Sequence, residues 1–262
     1  MNFSVFNNTP ISRIFGVNAP SVNRQTSVRV SRPDSINVNK DLDRLLDKRV
    51  FNDILVANPV ISRILAEQNL KPVVNIDNFK KNVYRHSTDT KRKAMGIYNF
   101  LPADLKMEAN PTYIQQGALL HDIGKVLIPE NILNKRGKLN EEETEIMNLH
   151  SRLSEAILST QNINPEVLNI VKYHHQNEKC TGYPVMKNAS RGFDINTEVV
   201  ALADKFSALK ENRSYKIGLT DEKAFEILRR QVEKGEINAR VYNALVGYVN
   251  SMNSVKQPAL AS

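Results

Sequence analysis

From Asp41 to about Leu70 the apolar residues fall three and four apart: Leu42, Leu45, Leu46, Val50, Ile54 and Leu55, then Ile61, Ile64 and Leu65 after Pro59. That spacing lines one face of successive short helices and predicts a small helical lead-in over residues 41–75. From about Asn75 to Met252 helix follows helix with short connections, few segments alternate with period two, and no glycine-rich phosphate loop intervenes. The pattern predicts an all-α chain with its main domain over residues 76–252. Residues 1–40 break the pattern. They are rich in Asn, Ser, Val and Arg, with Pro10, Pro20 and Pro33 interrupting any periodicity. Too little apolar surface is on offer to offset the entropy of ordering, so this segment reads as a disordered tail. A binding or targeting arm is the alternative.

Polar residues on the apolar faces carry the chemistry. There are five histidines: His86, His121, His150, His174 and His175. His86 continues a stripe of Phe79, Val83 and Thr90. His150 lies one turn from Ile146 and Leu153, in a helix whose start is marked by Asn140 with Glu143 in capping-box position. His174 and His175 follow Val167, Leu168 and Val171 in a helix opened by Asn164-Pro165. Imidazoles on apolar faces are unfavourable unless they find partners, and shared metal ions would supply them. Two carboxylates join the set. Asp122 directly follows His121 at the end of the apolar run 118–120, and Asp204 interrupts the face formed by Val200, Ala203 and Phe206. A buried carboxylate calls for a cationic partner or a bound cation.

Composition narrows the function classes. The lone cysteine, Cys180, excludes an internal disulfide framework and fits a reducing compartment. No apolar run is long enough for a membrane span, and the N-terminus lacks a secretory pattern, so a cytoplasmic protein is expected. The net charge is +8, but half of that excess sits in residues 1–40, where five basic residues face one acidic residue. The remainder is scattered, which suits a small phosphorylated ligand rather than a nucleic-acid face. Oligomeric state is not readable from the pattern.

The string HDIGK at 121–125, the longer text HDIGKVLIPENILNKRGKLNEEE, then His150, HHQNEKCTGYP at 174–184 and ADKFSALKENRSYK at 203–216 resemble HD-superfamily phosphohydrolases, and within them the HD-GYP type. The resemblance runs from about His86 to Lys216 in consistent order. It implies an HD-domain helical bundle whose metal ligands are His86, His121, Asp122, His150, His174, His175 and Asp204. Asp122 would bridge two divalent ions, with His86, His121 and Asp204 on one and His150, His174 and His175 on the other. Mixed imidazole and carboxylate ligation suits iron or manganese, with zinc a further option. The implied reaction opens a cyclic dinucleotide, cyclic di-GMP to pGpG or GMP, by attack of a metal-bridging hydroxide. Asp122 and Lys125 are the implied catalytic residues. Lys125, Gly182, Tyr183, Pro184, Arg213 and Lys216 are the implied substrate contacts, with Tyr183 stacking on a guanine.

Five positions depart from the family text. Asn82 stands where some relatives place a glutamate for a third metal, which predicts two ions rather than three. Gln176 replaces a usual glutamate, Lys179-Cys180 an acidic residue and glycine, and Ser207 a common aspartate. None of these is an implied ligand, so the departures bear on loop shape and substrate choice. The alternatives are an HD phosphohydrolase acting on cyclic GMP-AMP, a nucleoside monophosphate or another phosphoester, and a degenerate nucleotide-sensing or scaffold module. Cys180 is expected to be a bystander thiol.

Overall fold

The computed structural model describes residues 38–186, 194–212 and 217–256. Three short helices form the lead-in: α1 (Val38–Leu45), α2 (Lys48–Ala57) and α3 (Pro59–Ala66). Next come α4 (Ile76–Asn82), α5 (Tyr84–Phe100), α6 (Ala103–Glu108) and α7 (Pro111–Leu120). A 3-10 turn (Ile123–Leu127) leads to α8 (Glu130–Leu133), α9 (Glu141–Leu158) and α10 (Pro165–Tyr173). The chain continues through α11 (Ile195–Lys210), α12 (Asp221–Glu233) and α13 (Ala239–Lys256). Among the described residues there is no strand, as the periodicity predicts. Nor is any described helix long and apolar enough to cross a membrane. Helix α1 begins inside the stretch expected as a tail; the rest of that expectation, residues 1–37, lies outside the described residues.

Side-chain caps set most of the helix starts. Asn58, Asn110 and Asn164 each accept backbone N–H bonds at the head of α3, α7 and α10, with proline at the first turn where no N–H is needed. Asn140 and Glu143 form the full reciprocal capping box on α9. The stripe Phe79, Val83, His86 and Thr90 is buried as predicted, although the helix resets at Val83, between α4 and α5.

Two apolar cores result. One joins the lead-in (Leu42, Phe51, Ile61, Leu65) to Phe79, the 3-10 turn and the inner face of α9. The other is built by α5, α7, α11, α12 and α13, with Ile97, Val199, Phe206 and Leu245 inside it. Helix α7 serves both, giving Leu119 and Leu120 to the first and Ile114 and Ala118 to the second. It ends at His121, so the HD pair emerges from an element braced on two sides. Just beyond, a Cβ on Gly124 would sit 2.2 Å from the His150 carbonyl and 2.6 Å from the Ser154 nitrogen. Only glycine lets the turn lie this close to α9, and that closeness brings Asp122 up to His150.

Candidate metal centre

Five elements deliver the seven side chains. His86 comes from the first turn of α5, and His121 and Asp122 from the end of α7. His150 comes from mid-α9, His174 and His175 from the end of α10, and Asp204 from mid-α11. All but His175 are buried, and its side chain is 22% exposed. The Asp122 carboxylate lies between two sets. Its Oδ2 is 3.3 Å from His121 Nε2 and 3.9 Å from His86 Nε2, while its Oδ1 is 3.3 Å from His150 Nε2 and 4.0 Å from His174 Nε2. Asp204 Oδ1 is 2.7 Å from His86 Nε2 and 3.7 Å from His121 Nε2. His150 Nε2 is 3.3 Å from His174 Nε2 and 3.1 Å from His175 Nε2.

The backbone selects the tautomers. Nδ1–H of His121, His150 and His174 donates to the carbonyls of Ala118, Met147 and Val171 respectively, at 2.8, 2.6 and 2.7 Å. Each bond fixes the ring and leaves a bare lone pair on Nε2. Nε2 atoms of His150 and His174 therefore face each other as acceptors at 3.3 Å, an arrangement that a cation between them resolves. His121 Nε2 and Asp122 Oδ1 are buried without a hydrogen-bond partner. Unpaired buried acceptors are unfavourable in a protein interior. The donor set fits divalent ions: His86, His121 and Asp122 form one ligand-grade group and His150, His174 and His175 another. His121, His174 and Asp204 also lie within ligand reach of one another, so the two halves interlock.

The electrostatics differ between the halves. Burial opposes a charge on His121, but Asp122 and Asp204 outweigh it and push the imidazole up to about 10. Burial lowers His150 to about 3, helped by the Lys125 ammonium, and lowers His175 to about 4. His174 is also held well below its ordinary value by burial and the neighbouring imidazoles. Burial would raise Asp122 and Asp204, yet the surrounding imidazoles, with Lys125 for Asp122, keep both well below the usual carboxylate range. Such concentrated perturbation is typical of functional sites.

The remaining expected residues are placed as follows. Lys125 Nζ donates to Asp122 Oδ2 at 2.7 Å and keeps its side chain 20% exposed. Gly182, Tyr183 and Pro184 fold back on α10, and Tyr183 stacks on His175, with centroids 4.6 Å apart and planes at 29°. One face of the ring is thus covered by an imidazole. Arg213 and Lys216 lie outside the described residues. Cys180 belongs to none of the ligand-grade groups among the described residues. Glu211 was not foreseen: its Oε2 is 4.0 Å from His86 Nδ1. It lies one residue past the end of α11 in extended backbone, so helical spacing from Asp204 offered no signal for it.

The family model for the HD domain matches residues 81–241. The chain belongs to the HD-domain family. Over 128 residues the chain is 38% identical to 3'3'-cGAMP-specific phosphodiesterase 2 of Vibrio cholerae, covering 47% of this chain and 24% of that protein. A stretch of 134 residues is 38% identical to a cyclic di-GMP phosphodiesterase of Thermotoga maritima, covering 50% of this chain and 34% of the relative. The chain spans about a third or less of the length of these curated relatives. Its fold resembles Bd1817, an HDG"Y"P protein of Bdellovibrio bacteriovorus, with a TM-score of 0.54 at 15% identity, over 82% of this chain and 69% of that one.

Proposed function

We propose that this HD domain is a metal-dependent phosphodiesterase that opens a cyclic dinucleotide, with cyclic di-GMP as the leading substrate and pGpG or GMP as product. The observation that carries the reading is the Asp122 carboxylate, buried, with each oxygen 3.3 Å from an imidazole nitrogen of a different set. His86, His121 and Asp204 would hold one cation, His150, His174 and His175 a second, and Asp122 would touch both. The absence of thiolate donors in the set favours iron or manganese. When bound, such a pair lowers the pKa of coordinated water and clamps a phosphate.

The protein's own groups do the rest. The carbonyl bonds to Nδ1 orient three imidazoles with Nε2 toward the cation positions. Lys125 is anchored by Asp122 yet partly exposed, which places its ammonium at the mouth of the site, where it can meet a substrate phosphate oxygen. The lead-in over residues 41–75 supports this body over 76–252 through the shared apolar core. The phosphodiesterase names of relatives at similar identity, some specific for 3'3'-cGAMP and others acting on cyclic di-GMP, favour a second reading in which one base is adenine.

Metal analysis of anaerobically purified protein, paired with product analysis over a panel of cyclic dinucleotides, tests both readings. Two equivalents of metal with turnover of cyclic di-GMP supports the first. Turnover confined to 3'3'-cGAMP moves the assignment to the second. A protein that takes up no metal and turns over nothing overturns both.

A further inference from the structure

The imidazoles of the site are not all held alike. His121, His150 and His174 each donate Nδ1–H to the carbonyl three residues back. His86 has the Glu211 carboxylate 4.0 Å from its Nδ1. His175 uses no such carbonyl. Its Nδ1 is 3.8 Å from Asp204 Oδ2, and it is the most exposed of the five side chains. A ring without a backbone anchor at an open edge keeps rotational freedom that ligation must then remove. What lies on it instead is Tyr183, stacked at 4.6 Å.

Tyr183 is itself held on both sides by one side chain. Gln176, fully buried, donates from Nε2 to the Pro184 carbonyl at 2.6 Å and accepts at Oε1 from the Gly182 N–H at 3.0 Å. A Cβ on Gly182 would meet the His175 carbonyl at 2.1 Å, so the loop packs against the peptide it returns to. The Tyr183 N–H reaches that same carbonyl at 3.4 Å. The family's usual glutamate at this position could accept from Gly182. Toward Pro184 it would set a carboxylate oxygen against a carbonyl oxygen, a contact that only an amide turns into a bond.

We propose that Tyr183, strapped by Gln176, is the positioning residue for His175, standing in for the backbone carbonyl that orients His121, His150 and His174. The proposal rests on the reading of the seven side chains as a two-cation site. It assigns Tyr183 to the metal centre rather than to base recognition, and it makes Gln176 a working departure from the family text.

Cobalt(II) titration of the chelator-stripped full chain, followed by visible absorption, tests it. Wild type is expected to take two equivalents, and Tyr183→Phe should match it, because the ring is retained. Tyr183→Ala and Gln176→Glu should each weaken one equivalent by about 10- to 100-fold, the range typical of lost outer contacts to a metal ligand. The second equivalent should be unchanged, which also reports that the variants are folded. Exchange of the Gly182–Pro184 segment with deuterated solvent should quicken in Gln176→Glu. Two wild-type affinities in Tyr183→Ala, with an unaltered spectrum, would overturn the proposal while leaving the two-cation reading intact. A wild-type protein that takes fewer than two equivalents overturns that reading and the proposal with it.

Discussion

The two halves of the site are made differently. Around Asp122 Oδ2 the partners include a second carboxylate, Asp204, and the mixture drives His121 up to about 10. Asp122 Oδ1 faces the imidazoles of His150 and His174, and burial, outweighing nearby Asp122 and Asp204, drives His150 to about 3 and His175 to about 4. On the first side a proton competes with a cation for His121. On the second side protons are already excluded, and bare lone pairs face one another. One cluster thus contains a half that charge organises and a half that desolvation organises, joined by one carboxylate.

The sharpest way to break that division is to remove the joint. Asp122→Ala should eliminate both metal equivalents and all turnover, read by elemental analysis and product assay; retention of one tight equivalent would show that the halves are independent. Next, His150→Ala and His121→Ala should each lose one equivalent, on opposite sides, with the surviving cobalt spectrum differing between the two variants. Lys125→Ala should leave the metal count at two and lower kcat/KM by about 10- to 100-fold, within the range for a lost charged contact to phosphate.

The pH dependence of the chelator-stripped protein separates the halves thermodynamically. The unfolded chain binds protons on His150 and His175 below about 6.5 that the folded state refuses until about 3 and about 4, so stability should fall as pH drops through that window. His121 has the opposite sign. Its contribution is fully present below about 6.5 and is lost as pH rises toward about 10. Denaturant midpoints across pH should therefore peak near neutrality; a steady rise through pH 9 would contradict the His121 assignment. The smallest effect is expected from Asn140→Ala, which removes the capping box of α9 and should cost about 1 kcal/mol without altering metal count.

Much of this was legible in the chain before any coordinates. Periodicity located the helices, and Asn164-Pro165 and the Asn140 capping box marked the starts of α10 and α9. The polar interruptions of apolar faces, His86, His150, His174 and Asp204, all proved buried because a helix face dictates where a side chain goes. What periodicity could not convey lies in loops and in contacts between distant segments. The stack of Tyr183 on His175 depends on the return path of residues 177–184, which has no repeating pattern. Gln176 was visible as a departure from the family text, but its two bonds follow from that path. Glu211 acts just past the end of α11, where helical phase stops being a guide.

Gly124 has a consequence for how the molecule moves. Its amide donates to the Ser154 hydroxyl at 2.8 Å, and its bare Cα sits against the α9 backbone. Backbone pressed directly on backbone has no side chain in between to act as a cushion. When the bundle breathes, the turn carrying Asp122 and the helix carrying His150 must travel as a single body, which keeps one dimension of the cluster constant.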